Sequence, residues 1–334
     1  MKVSLKDILK LVISIIITGF VLLEISKDFD WNKVWPALID FKFGWIFLSI
    51  ALSILSHFIR AYRWTLLLNT GGYQPKIFTT YLAIMVCYLV NMAIPRLGEL
   101  ARCTVLKNEY KIPVSFSLGT VITDRLTDLL MLGLLALFLL VNQFDIVGDY
   151  FTNFASDKLP FLETNWPYLL VAGLIGFIAL VILIKKSKTG GSESSLVYRV
   201  GKFTSDIGAG IITITKVKKQ FQFWLSTLAI WALYFLMLYV ISFGFAPTAD
   251  MTLMAGLAVL VMGSLGMAAP VNNGIGAYQF FVAGVLVVYG IEYNDGFVFA
   301  LISHGSQLVM VILLGFVSLL ILNFRKRKNI IEGK

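Results

Sequence analysis

The chain has 334 residues, 58% of them hydrophobic and 14% charged, with a net charge of +9. Soluble globular domains carry roughly 25% charged residues, so this composition excludes a sizeable water-soluble domain. The basic residues sit between long apolar stretches, which argues against a nucleic-acid partner and for the charge sidedness of a membrane protein.

Residues 8–25 are the first predicted crossing. The run follows Lys2, Lys6 and Lys10, is long for a signal peptide and lacks an obvious small-residue cleavage site, so it reads as a retained span. Further crossings are predicted at 43–68, 114–141, 166–184, 221–243 and 297–323, each long enough for a helix to cross a ~30 Å hydrocarbon core. Two other apolar stretches, 77–95 and 252–289, are interrupted by proline and glycine. Such breaks are tolerated at membrane depth where the freed backbone faces protein or a wet cavity. The segment 185–220 divides the chain into a first membrane half, 1–184, and a second, 221–334. It begins Gly/Ser-rich and then mixes apolar and basic residues, which fits a contact with anionic lipid or a solvated linker, with a partner-binding role as the other reading. Cys87 and Cys103 form neither a disulfide framework nor a zinc site.

Loop charges set the sidedness. The N-terminus, the 185–220 segment and the tail with Arg325, Lys326, Arg327 and Lys328 are basic, whereas 142–165 has four acids against Lys158. Basic segments belong in the cytoplasm. A full crossing at 77–95 would put Arg96, Arg102, Lys107 and Lys111 outside, so that stretch is expected to enter from the cytoplasm, turn near Pro95 and return. The stretch 252–289, flanked by Asp250, Glu292 and Asp295, is expected to enter from outside. The expected fold is an all-α polytopic membrane protein with about six full spans, two re-entrant hairpins and both termini cytoplasmic.

The two broken stretches resemble each other. Leu82-Ala-Ile-Met-Val-Cys-Tyr-Leu-Val-Asn-Met-Ala-Ile-Pro95 lies over Leu257-Ala-Val-Leu-Val-Met-Gly-Ser-Leu-Gly-Met-Ala-Ala-Pro270, with Leu, Ala, Val, Met, Ala and Pro identical in register. Three predicted crossings separate them, so the second copy is inverted, as in many transporters. The alternative is two unrelated kinked helices.

Charges inside apolar spans are costly, about 2.5–3.5 kcal/mol each at mid-depth on the insertion scale. Here they cluster: Arg60, Arg63, Arg96, Glu99, Arg102, Asp124, Arg125 and Asp128. The surplus of positive charge suits an anionic group such as a phosphate, which arginine grips through a planar fork of donors. Arg60 and Arg63 share a helix face, as do Asp124 and Asp128. The two aspartates repel unless cations oppose them, and Arg96, Arg102 or Arg125 are the expected partners. The structural alternatives are snorkelling for Arg60 and Arg63 and an ion-pair network for Asp124, Arg125 and Asp128. At the second break, Asn272 or Asn273 is a candidate cap for the returning half-helix, whose free N–H groups would form an anion site. Gly274 and Gly276 allow close backbone approach, and packing by small residues is the alternative. His57 and His304 are isolated and read as structural. No nucleophile triad, metal-ligand spacing or nucleotide motif is present, and no cofactor is expected.

At these residues the chain resembles the lysylphosphatidylglycerol synthase transmembrane-domain family of flippase-like membrane proteins. The resemblance covers nearly the whole chain. It rests on Arg60-Ala-Tyr-Arg-Trp64, on Pro95-Arg-Leu-Gly-Glu-Leu-Ala-Arg102, on Asp124-Arg125 with Asp128, and on Pro270-Val-Asn-Asn-Gly-Ile-Gly. It implies a role in moving a lipid between leaflets, in a bacterial inner membrane. Two departures stand out. The sequence carries no soluble aminoacyl-transferase domain, so it is not expected to make an aminoacyl lipid. Relatives often read Gly-Gly-x-Gly-x-x-Glu where this chain has Asn273-Gly-Ile-Gly-Ala-Tyr-Gln279, so Gln279 removes a negative charge.

The expected function is therefore transport of an anionic or modified phospholipid, or of a polyprenyl-phosphate-linked lipid. The alternatives are a membrane enzyme acting on such a lipid, with Asp124 and Asp128 holding Mg²⁺, and a membrane protein that positions a lipid-biosynthetic enzyme. A homo-oligomer fits any of the three.

Overall fold

The computed structural model describes Pro36 and residues 39–94, 97–143, 213–269 and 271–331. The predicted crossings at 8–25 and 166–184, most of the 185–220 segment, Pro95, Arg96 and Pro270 lie outside the described residues. The fold is all-helical, with no strand among the described residues. The helices are α1 (Gly44–Leu68), α2 (Ile77–Ala93), α3 (Gly98–Tyr110), α4 (Val114–Asn142), α5 (Gln220–Ser242), α6 (Leu253–Ala268), α7 (Ala277–Val288) and α8 (Tyr293–Ile331).

Length separates these helices into two kinds. The segments Gly44–Gly71, Gln220–Ser242 and Tyr293–Arg327 are long and apolar enough to cross a membrane. Helix α4 has 29 residues but carries Asp124, Arg125 and Asp128 along it. The helices α2, α3, α6 and α7 have 17, 13, 16 and 12 residues. At 1.5 Å per residue they reach only about 18–26 Å, less than the ~30 Å core. Large apolar side chains are exposed along α4 (Leu134, Leu137, Phe138), α5 (Leu225, Leu228) and α8 (Leu313, Phe316, Leu320). Water does not tolerate apolar faces of this extent; lipid does.

The short helices pair. α2 packs on α3 and α6 packs on α7, forming two hairpins that also pack against α8 and α4. The first turns just after Ala93, where the sequence places Pro95. Asn91 on α2 caps the returning arm, its Oδ1 accepting the Gly98 N–H at 2.7 Å. The second turns through Asn273 (φ 53), Gly274 (φ 71) and Gly276 (φ 84). These left-handed conformations cost Gly nothing and Asn little.

The hairpins open toward opposite ends of the bundle. At one end the Lys76 N–H donates to the Tyr110 hydroxyl at 3.0 Å and Arg325 donates to Thr79 at 3.1 Å, so the start of α2, the end of α3 and the end of α8 meet. At the other end the Lys42 N–H donates to the Gly244 carbonyl at 3.0 Å and Tyr239 donates to the Met251 carbonyl at 2.9 Å. Helices α1 and α5, the most extensively packed pair, run antiparallel: Ser49 donates to the Met237 carbonyl and Tyr62 to Gln222, both at 2.7 Å. One apolar core joins α1, α2, α3, the start of α4 and Phe223 of α5, and a second joins α5 to α8 with Met131 and Leu139 of α4.

Candidate functional site

The charged residues picked out along α1, α3 and α4 converge between these cores. Arg63 is buried completely and holds both aspartates of α4. Its Nε and Nη2 donate to Asp124 Oδ1 at 3.0 and 2.6 Å, and Nη2 also donates to Asp128 Oδ1 at 2.7 Å. Its Nη1 reaches Thr227 of α5 at 3.3 Å. Arg60, one turn earlier, donates to Asp128 Oδ2 and, at 3.2 Å, to the Tyr88 hydroxyl. The direct partners of Asp124 and Asp128 are thus Arg60 and Arg63; of the expected partners Arg96, Arg102 and Arg125, the first lies outside the described residues and the other two form no ion pair with either aspartate. The reason is helix rotation: the inner face of α1 meets the inner face of α4, whereas Arg125 turns toward α3 and pairs with Glu99 at 3.1 Å.

Arg102 is also buried, but its guanidinium lies 4.6 Å from the centre of the Trp64 ring. Among the described residues it has no carboxylate partner within ion-pair distance, and its Nε and Nη2 make no hydrogen bond. A cation on an aromatic face gains ~0.5–2 kcal/mol. Trp64 is fixed in turn by donating to Thr120 at 2.9 Å.

At the second break the cap differs from the expectation. The residue before the first turn of α7 is Gly276 and not an asparagine; Gln279 Oε1 accepts the Gly276 N–H at 2.8 Å. Asn273 lies three residues upstream in the turn. The Gln279 amide nitrogen then faces His304 Nδ1 at 3.2 Å, and Tyr278 lies against the same imidazole with ring centres 4.7 Å apart.

A cavity of about 480 Å³ connects the two regions, within the roughly 300–1,000 Å³ usual for ligand sites. Its cationic wall is Arg60 and Arg125, with Asp128, His57 and Tyr88 beside them; Asn273, Tyr278, His304 and Gln307 line the second-hairpin side. Leu129, Leu132, Met237 and Leu260 supply apolar lining. Its lining residues on α1, α4, α5 and α8 fall inside those helices and not at their ends, so the cavity lies at mid-depth in the bundle. Of the sequence-predicted residues, Arg60, Arg125, Asp128 and Asn273 line it. Arg63 and Asp124 stand behind Asp128, Gln279 stands behind His304, and Glu99 holds Arg125. Arg102, Gly274 and Gly276 are not in its wall. Arg96 and the Asn272 side chain lie outside the described residues.

Sequence reasoning set His57 and His304 aside and missed Tyr88, Tyr234, Trp231 and Gln307. A signal was available for two of them: His304 and Gln307 stand three apart on an apolar helix, where polar side chains are costly. Among the described residues no three His, Cys, Asp or Glu side chains are grouped to hold a metal ion.

These features define a membrane-spanning helical protein with a charged, partly apolar cavity at mid-depth. The family match runs from residue 8 to residue 315, and the chain belongs to the family described as the lysylphosphatidylglycerol synthase TM region. Membership associates it with membrane lipids and with lipid metabolism or transport. Neither a curated protein nor a solved structure matches it significantly.

Proposed function

We propose that this protein moves an anionic or modified phospholipid, or a polyprenyl-phosphate-linked lipid, between leaflets. The observation that carries the reading is the cavity, which joins the Arg60–Arg125 wall to the turn of the second hairpin. The phosphate binds the arginines, the headgroup occupies the cavity, and the acyl chains stay in the bilayer. The halves are inverted repeats: helix, hairpin and helix recur as α1 to α4 and as α5 to α8. In support, α1 and α5 run antiparallel and the hairpins open to opposite ends. Each hairpin re-enters the membrane from its own side, the first from the cytoplasm, and the chain resides in the bacterial inner membrane with both termini cytoplasmic. Sites at broken helices near the midplane are the usual arrangement in such repeats.

The protein is a transporter and not an enzyme on this reading. Asp124 and Asp128, the aspartates that would hold Mg²⁺ in an enzyme, are engaged by Arg63 and Arg60. Those same contacts leave Glu99, paired with one half-exposed arginine, as the carboxylate best placed to carry a proton. Drive comes from a proton, the membrane potential or the lipid gradient.

The test is a leaflet-exposure assay in proteoliposomes with fluorescent phosphatidylglycerol, its lysyl-modified form and a polyprenyl phosphate. Wild-type protein moves one of them. Glu99→Gln slows that movement by about tenfold or more, the worth of one charge-assisted contact holding Arg125 in place. Full activity in that variant removes Glu99 from the mechanism, and no movement of any of the three by folded wild-type protein contradicts the reading.

A further inference from the structure

Several buried polar atoms in the cavity's lining side chains have no hydrogen-bond partner: His57 Nδ1, Arg60 Nε, Trp231 Nε1, His304 Nε2 and Gln307 Oε1. Buried polar atoms are normally satisfied, so a run of them around one cavity points to a polar occupant. The two on α8 have defined roles. Gln279 is oriented by accepting the Gly276 N–H through Oε1, so the group it turns toward His304 Nδ1 is its NH₂. An amide NH₂ only donates. His304 Nδ1 therefore accepts, and in the neutral ring the proton sits on Nε2. The Asn273 backbone engages the ring as an acceptor, but Nε2 has no partner in hydrogen-bonding geometry, so its N–H is left for an occupant of the cavity.

Gln307 supplies the complement. Its NH₂ donates to Ser49 Oγ at 3.2 Å, while Ser49 spends its own proton on the Met237 carbonyl at 2.7 Å. That fixes the amide and leaves Oε1 as an acceptor. His304 and Gln307 share a helix face, three residues apart. The only carboxylate lining the cavity among the described residues is Asp128, which is committed to Arg60 and Arg63.

We infer that the α7–α8 side of the cavity is a headgroup selector, with Gln279 setting the His304 tautomer, for an anionic lipid whose headgroup is an uncharged polyol. This rests on the transport reading above and names the substrate class within it. A hydroxyl donates and accepts, so it satisfies His304 Nε2–H and Gln307 Oε1 together. An ammonium group has no lone pair for the histidine donor and meets no free carboxylate. A glycerol headgroup on a diacyl phosphate and a sugar on a polyprenyl phosphate share this chemistry.

The experiment measures binding in detergent and leaflet exchange in phosphatidylcholine liposomes, for the full chain. The probes are phosphatidylglycerol, its lysyl-modified form and a sugar-linked polyprenyl phosphate. Wild type is expected to bind phosphatidylglycerol or the sugar lipid at least about tenfold more tightly than the lysyl form, as expected when buried partners go unmet. Which polyol lipid binds identifies its source. Gln279→Glu, which adds a negative charge beside His304, narrows or reverses the preference, and Gln307→Leu weakens polyol binding while leaving the lysyl form nearly unchanged. His304→Ala is a third variant, and the other two carry the test if it does not fold. Equal binding of the two headgroup types with no response to Gln279→Glu overturns the inference, while movement of either lipid keeps the transport reading. Selective polyol binding without movement keeps the selector and overturns transport. No binding of any probe by folded protein overturns the selector.

Discussion

Replacing Arg63 with Met is expected to lower the unfolding temperature of the detergent-solubilised protein more than any other single change to the charge cluster. Arg63 and Asp124 are both fully buried, so the pair was desolvated to form, and the attraction between the partners offsets that cost. Removing one partner leaves the other charged and uncompensated, a loss of about 3–5 kcal/mol in buried pairs. Two carboxylates are affected here, because Arg63 also holds Asp128. Arg60 remains on Asp128, so Asp124 bears most of the penalty. The double variant Arg63→Met with Asp124→Leu is expected to regain much of the loss, since replacing both members of a buried pair by apolar groups is often neutral. Tryptophan fluorescence during heating measures both. An Arg63→Met protein that unfolds at the wild-type temperature shows that these contacts do not form.

Gly98→Ala is expected to have the second large effect, through packing. A methyl group at Gly98 runs into the Cys87 carbonyl oxygen and lies 2.7 Å from the Asn91 side chain. The obstruction is backbone, so the hairpin arms must separate, which also stretches the Asn91 cap on the Gly98 N–H. Overpacking of this kind costs about 1–3 kcal/mol, occasionally more. Gly119 is the control: on α4, nothing lies within 4 Å of the added methyl. Gly119→Ala is expected to be neutral or to stabilise by up to about 1 kcal/mol from helix propensity. Thermal unfolding of the two variants side by side checks the contrast. Equal stability contradicts the close packing of α2 on α3.

Helix positions were legible because membrane solvation writes them into the sequence as apolar length. The predicted span 43–68 is α1, Gly44–Leu68, and 114–141 is α4, Val114–Asn142. The breaks were legible too, since a proline inside a helix removes a backbone donor and clashes with the preceding turn, and Gly274 and Gly276 take positive φ. The end of α8 was not. Hydropathy falls at residue 323, but the helix continues to Ile331, because Arg and Lys end the hydrocarbon-compatible stretch without disfavouring helix.

The site divides the same way. Spacing along one helix placed Arg60 with Arg63 and Asp124 with Asp128, but said nothing of how α1 and α4 rotate toward each other, so their pairing was not readable. His304 looked isolated in sequence because its neighbours, Gln279 and Tyr278, lie on another helix. The cap at the second break was missed for a related reason: an asparagine in a turn signals a cap, but here it adopts a left-handed backbone and the cap falls to Gln279.

The most direct test of the cavity as the lipid path is to plug it. Ser264 lines it and its side chain makes only a local hydrogen bond, to the Leu260 carbonyl at 2.7 Å. The native thiols, Cys87 and Cys103, are both buried, and wild-type protein treated with the same reagent controls for them. A Ser264→Cys protein in proteoliposomes should exchange lipid between leaflets until a bulky maleimide is attached, and then stop. Exchange at the unmodified rate after complete labelling contradicts a path through this cavity.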